Sequence, residues 1–142
     1  MITKSALVIA AGRGSRLSDL SPEKPKCLLQ VNGESIISRN LIRLQRSGVE
    51  KVHIVTGFEA NLIRESLGFG ERFGLSINYV HNEAWHKMNG VSVLAAQAQF
   101  GTDEKFLLMM SDHLFAQDLI REMVELEVDS ESLVLAVDRD LE

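Results

Sequence analysis

The sequence predicts an α/β protein of three layers, α/β/α, built on a mainly parallel sheet. Three observations predict it: short apolar, β-branched runs recur along the 142 residues, amphipathic helical stretches separate them, and the connections are short. The first strand is placed at Ala6–Ala10, where Leu7-Val8-Ile9-Ala10 forms a run suited to burial. A helix follows at Ile36–Arg46. There Ile37, Leu41 and Leu44 keep i, i+4, i+7 spacing, and Gly48 stops the helix. A strand at Val52–Thr56, a helix at Ala60–Ser66 and a strand at Ser76–Val80 come next. Val91, Leu94, Ala95 and Ala98 repeat the helical face within Val91–Gln99. The pattern closes with a strand at Phe106–Met110, a helix at Gln117–Glu127 and a fifth strand at Leu133–Val137.

No repeat, low-complexity tract or long linker divides the chain, so residues 1–140 read as one domain. Leu141-Glu142 matches what a cloning junction leaves ahead of a C-terminal tag. Hydrophobic residues make up 45% of the chain, yet no apolar run approaches the length of a membrane span. Met1-Ile2-Thr3-Lys4 leads straight into the first strand without a signal peptide. Cys27 is the single cysteine. Both features lead us to expect a cytoplasmic protein. Cys27, beside Lys26, reads either as a reactive thiol or as a small hydrophobic filler.

The net charge of −5 is unevenly spread, with +3 on residues 1–30 and −8 on the rest. An acidic protein with one cationic loop is a poor nucleic-acid binder and a good candidate for small anions. That loop carries the strongest signal. LVIAAGRGSRL at residues 7–17 turns an apolar run into a Gly-rich segment, and Lys24, Lys26 and Cys27 follow within KPKCLL. Gly12 and Gly14 free the backbone so that N–H groups can converge on an anion. Arg13, Arg16, Lys24 and Lys26 put four cations within fourteen residues, a set suited to a triphosphate and its transition state. Leu17 stands where a dinucleotide fingerprint needs its third glycine, and no Gly-Lys-Ser/Thr string completes a Walker loop. An ordinary strand-to-helix turn with a solvated basic flank is the plainer alternative.

Sites in parallel sheets lie beyond the C-terminal strand ends. That rule brings the Gly-rich loop together with Gly57-Phe58-Glu59, His81-Asn82-Glu83 and Ser111-Asp112-His113. Asp112 is positioned either to meet a divalent ion or to cap the following helix. Asn89, with Gly90 and Ser92, either caps its helix or faces a base or anion. Trp85 either stacks on a ligand or covers core surface. His81 and His86 lack the further ligands that a metal centre needs.

AAGRGSRL, PEKPKCLL and Val31-Asn32-Gly33 together resemble the signature of the sugar-phosphate nucleotidyltransferases. Asn89-Gly90-Val91-Ser92 and Ser111-Asp112-His113 are similar to the cytidylyltransferases among them that act on alcohol phosphates such as inositol 1-phosphate and phosphocholine. The resemblance implies a Rossmann-like sheet of the nucleotide-diphospho-sugar transferase type. It also implies transfer of a nucleoside monophosphate, CMP ahead of UMP, GMP or dTMP, to a phosphorylated alcohol or sugar with release of pyrophosphate; a non-catalytic nucleotide-binding module is the alternative. Residue by residue, Gly12 and Gly14 match the triphosphate cradle and Arg16 the β/γ-phosphate ligand. Lys26 matches the lysine at the α-phosphoryl group, and Asp112 the first magnesium ligand. Ala10, Ala11, Asn82 and Asn89 lie where the family surrounds base and ribose. The expected partners are CTP or another nucleoside triphosphate with Mg2+ and a phosphorylated acceptor. Family members carry a second metal-binding aspartate in a C-terminal half. The chain is therefore expected to be the N-terminal, nucleotide-binding portion of a longer enzyme. Asp138 is a poor substitute for that ligand, and an exposed sheet edge would open a route to homo-oligomers.

Overall fold

The computed structural model describes residues 2–12 and 24–137. Gly14, Arg16 and Asp138, with Arg13, lie outside the described residues. The central sheet is four-stranded, parallel throughout, and ordered β5-β4-β1-β6. Its strands are β1 (Ser5–Ala10), β4 (Lys51–Thr56), β5 (Ser76–His81) and β6 (Leu107–Met110). A two-residue hairpin, β2 (Gln30–Val31) and β3 (Glu34–Ser35), stands apart from it. The helices are α1 (Ile36–Arg46), α2 (Ala60–Leu67), α3 (Asn89–Ala95) and α4 (Gln117–Glu125).

Every residue of β1 is buried, and alternation of its side chains splits the core into two layers. Ala6, Val8 and Ala10 pack with Ile37, Leu41 and Leu44 of α1, Ile63 and Leu67 of α2, and Ile120 and Val124 of α4. Leu7, Ile9 and Ala11 turn the other way, joining Val55 and Ala96, with Val93, Trp85 and Phe100 packed against them. Helices therefore cover both sheet faces, as the pattern of apolar runs predicts. Trp85 covers core surface rather than standing free.

Most boundaries fall within two residues of expectation, and the departures have local causes. α1 starts where Ser35 caps it, its hydroxyl accepting from the Ser38 N–H at 3.2 Å. α3 begins two residues earlier than predicted. Its cap is Met88, so Asn89 is the first helical residue and not the cap. The helix then yields at Ala96 to a 3₁₀ turn over Gln97–Gln99. The run at Leu133–Val137, expected as a fifth strand, forms none: residues 132–137 are exposed and irregular. β propensity makes no strand without a neighbour to complete its ladder, and this run pairs with no described strand. The hairpin went unpredicted although Asn32-Gly33 signals it. These residues take φ +52° and +85°, the left-handed pair that a tight two-residue turn requires.

The strand ends are tied together beyond the sheet. Ser111 N–H donates to the Ile9 carbonyl (3.1 Å), Phe58 N–H to Ala11 (3.0 Å) and Asn82 N–H to Thr56 (2.7 Å). At Gly57 the loops after β1, β4 and β5 converge so closely that a β-carbon would lie 2.2 Å from Trp85 Cβ and 2.9 Å from the Ala11 carbonyl oxygen. Gly57→Ala should therefore lower the unfolding free energy by about 1–3 kcal/mol, the usual cost of overpacking, as measured by urea denaturation. Unchanged stability would show that the loops do not meet there.

Within β4, His53 is buried with its Nε2 unpartnered among the described residues. Its Nδ1 lies 3.0 Å from the Asn78 amide nitrogen, which also donates to Gln99 Oε1, and Phe100 packs edge-on against the ring. Burial first, and Lys51 second, hold its pKa below the usual histidine value, with Glu104 opposing. A base whose folded pKa is lowered contributes stability that is complete above its unfolded value of about 6.5 and is lost as pH falls below it. The melting temperature should decline as pH is lowered from 6.5 toward 5.5, and His53→Gln should flatten that slope.

Candidate functional site

A cavity of about 170 Å³ opens at the C-terminal ends of β1 and β6. Ala10 lines it from β1, Gly12 from just beyond that strand, Lys26 from the 3₁₀ turn before the hairpin, Asn89 from α3 and Asp112 from the loop after β6. Five of the predicted site residues thus meet at one place. Among the described residues, a β-carbon at Gly12 would touch nothing within 4 Å. Ala11 and Asn82 sit beneath the wall rather than in it. Ala11 is fully buried, with its carbonyl held by Phe58. Asn82 is buried as well: its Oδ1 accepts from Ala84 N–H (3.0 Å) and its Nδ2 donates to Ser92 Oγ (2.9 Å). Asn82 thereby ties the loop after β5 to α3.

Opposite charges face each other across the cavity. Lys26 Nζ stands 3.7 Å from Asp112 Oδ2, with the two side chains 23% and 31% exposed. Asp112 Oδ1 is 2.7 Å from His113 Nδ1. The helix-cap alternative for Asp112 is excluded, because α4 starts after Ala116 without a side-chain cap. Lys26 owes its position to the next residue. The turn Lys26–Leu28 closes with Leu28 N–H on the Pro25 carbonyl (3.0 Å), and Cys27 is buried beneath it against the Ser111 side chain. One buried thiol therefore seats the cation beside the strand end that carries the carboxylate.

Sequence reasoning missed the residues that hold the Asp112 loop. Asn40 and Arg43 of α1 reach across to it: Asn40 Nδ2 donates to the His113 carbonyl (2.6 Å) and Arg43 Nη1 to the Phe115 carbonyl (2.7 Å). Asn40 carries the one signal available, a polar residue set on the same stripe as Ile37, Leu41 and Leu44.

A model of the MobA-like NTP transferase domain matches residues 6–141. The chain belongs to that family. Among its relatives is the UTP--glucose-1-phosphate uridylyltransferase AglF of Haloferax volcanii. It is 31% identical over 138 residues, 95% of this chain and 55% of that protein. The bifunctional IPC transferase and DIPP synthase of Thermococcus kodakarensis is 36% identical over 125 residues, 87% of this chain and 27% of that protein. The fold is similar to that of the inositol-1-phosphate CTP transferase from T. maritima. The TM-score is 0.76 at 23% identity, covering 90% of this chain and 51% of that one. The chain thus spans about half the length of AglF and of the T. maritima transferase, and about a quarter of the bifunctional protein. No helix among the described residues is long and apolar enough to cross a membrane.

The reactive-thiol reading of Cys27 fails on the same geometry. Burial drives its pKa up to about 12, with Asp112 adding to the rise and the Ser111 hydrogen bond opposing it. Near neutral pH the folded chain then holds about a thousandfold less thiolate than an ordinary thiol. Iodoacetamide should modify Cys27 about 10³-fold more slowly in the folded chain than in urea, followed by intact mass. Equal rates would place the thiol at the surface.

Proposed function

We propose that this chain is the nucleotide-binding portion of a nucleotidyltransferase. In this reading it passes a nucleoside monophosphate, CMP by preference, from the triphosphate to a phosphorylated alcohol or sugar. The observation that carries it is the Lys26–Asp112 pair facing across a cavity at the C-terminal ends of β1 and β6. A cation for the phosphoryl oxygens and a carboxylate for a metal are what such chemistry asks of a protein, beyond alignment. At about 170 Å³ the cavity is smaller than the roughly 300–1,000 Å³ typical for a whole ligand and suits the phosphate portion of one.

In the reaction an acceptor phosphate oxygen attacks the α-phosphorus in line, and the bond from that phosphorus to the pyrophosphate oxygen breaks. The Lys26 ammonium neutralises charge developing on the α-phosphoryl oxygens. Gly12 and Gly14 offer backbone N–H groups to the phosphates, and Arg16 takes the β and γ groups. Ala10 and Asn89 border the base and ribose, while Ala11 and Asn82 shape that wall from beneath. Asp112 fits a magnesium ion: it is a partly exposed oxygen donor, and such ions take one or two carboxylates alongside substrate phosphates. Bound there, magnesium would neutralise phosphate charge and favour departure of pyrophosphate.

The preference for CTP rests on Asn89-Gly90-Val91-Ser92 and Ser111-Asp112-His113, and on relatives such as the CTP:phosphoglutamine cytidylyltransferase of Campylobacter jejuni. A second reading, UTP with a hexose phosphate, is favoured by the identity to AglF across nearly the whole chain. A thermal-shift panel of nucleoside triphosphates in magnesium separates them. The preferred nucleotide at 100 times its Kd should add about 2.7 kcal/mol, and CTP should lead. A chain that no nucleotide stabilises would end the proposal. In the catalytically competent protein, Lys26→Ala should slow pyrophosphate release about 10²–10³-fold with the fold intact by circular dichroism.

A further inference from the structure

We infer that Asn40 is a positioning residue for the strand-end carboxylate, holding Asp112 where the magnesium-bound nucleotide meets it. This rests on the function proposed above. Asn40 lies on α1, only 1% exposed, on a stripe otherwise made of core aliphatics. A buried amide there is costly unless its polar atoms are used. Both are used, and both on one loop. Nδ2 donates to the His113 carbonyl at 2.6 Å, and Oδ1 accepts from Phe115 N–H at 3.3 Å. That loop, between β6 and α4, has no regular structure to fix it.

Asp112 sits between two anchors. On one side Ser111 N–H continues the sheet ladder onto the Ile9 carbonyl at 3.1 Å. On the other, the next residue is held by Asn40, and Phe115 is held again by Arg43 at its carbonyl. The carboxylate itself meets Lys26 at 3.7 Å and His113 at 2.7 Å, and the His113 ring is largely exposed. Neither of these contacts reaches the backbone; Asn40 holds that of the next residue, His113, and of Phe115 from helix α1. Its loss should therefore weaken the metal-dependent part of nucleotide binding and leave the metal-independent part alone.

Isothermal titration of CTP into the 142-residue chain, once in magnesium and once in EDTA, tests this. The quantity read is the ratio of the two dissociation constants. Asn40→Asp keeps the oxygen that accepts from Phe115 and removes the amide that donates to His113, at nearly constant volume. It should shrink the ratio about 10–100-fold or to one, the usual cost of losing a partner that orients a metal ligand. The EDTA value should stay within about twofold. Asn40→Ala should act in the same direction, and if it does not fold, Asn40→Asp decides. Ile37→Val, a buried change on the same helix, should leave the ratio unmoved. An unchanged ratio in Asn40→Asp, or an equal loss in Ile37→Val, overturns the inference while the proposed function stands. If the unaltered chain binds CTP no better in magnesium than in EDTA, the proposed function falls and this inference with it.

Discussion

The rest of the molecule depends on the double hydrogen-bonded burial of β1. Its residues pair in parallel with β4 on one edge and β6 on the other, so three strand ends are held at one level. The ladder does not stop with the strands. Ile9 and Ala11 go on to accept from Ser111 and Phe58, which fixes where the loops after β6 and β4 depart. Because the side chains alternate, the same strand divides the helices into α1, α2 and α4 on one face and α3 on the other. Its last position, Ala10, and Ala11 just beyond it are small. Backbone therefore borders the cavity where larger side chains would fill it.

The facing charges at that edge are not there to hold the fold. A pair at 3.7 Å with each side chain a quarter to a third exposed contributes little to stability, on the order of 0–1 kcal/mol after solvent screening. What the fold supplies is their placement, and it does so through apolar and neutral contacts. Cys27 sinks beneath the turn against Ser111, so Lys26 and Asp112 are neighbours in space, although 86 residues apart, because the residues next to them touch. A charged anchor in the position of Cys27 would compete with the ligand that the pair is suited to meet. A protonated thiol does not.

Much of this was legible in the sequence because it rests on short-range periodicity. The strands β1, β4 and β5 and the helix α1 read cleanly, since an apolar run or an i, i+4, i+7 stripe reports burial directly. The rule that sites lie at strand C-termini drew together the loops after β1 and β6, and Gly12 and Asp112 of those loops do line one cavity. What escaped depends on tertiary contact. Asn82, which the resemblance sets beside base and ribose, engages Ala84 and Ser92 with its amide, a contact that only the packing of α3 reveals. Leu133–Val137 has strand composition, but pairing is a property of the neighbour as much as of the run. Asn40 sat in plain view on an apolar stripe, and nothing local could say which loop it served.

Two of the buried polar groups share a task at the C-terminal ends of the strands. At the C-terminal edge Asn40 uses both ends of its amide on irregular backbone, at His113 and Phe115, and Asn82 joins the Ala84 N–H of a loop to the Ser92 hydroxyl of α3. His53, inside β4, holds no loop, and its Nε2, like the Thr56 hydroxyl at the end of the same strand, is unpartnered among the described residues. Irregular segments cannot satisfy themselves through a ladder, so a site built on them needs rigid elements to lend donors and acceptors. An amide suits the task because it offers both without a charge, leaving the electrostatics of the cavity to Lys26 and Asp112. Helix α1 is thus more than a layer of the core: it is the support from which the far wall of the site is suspended.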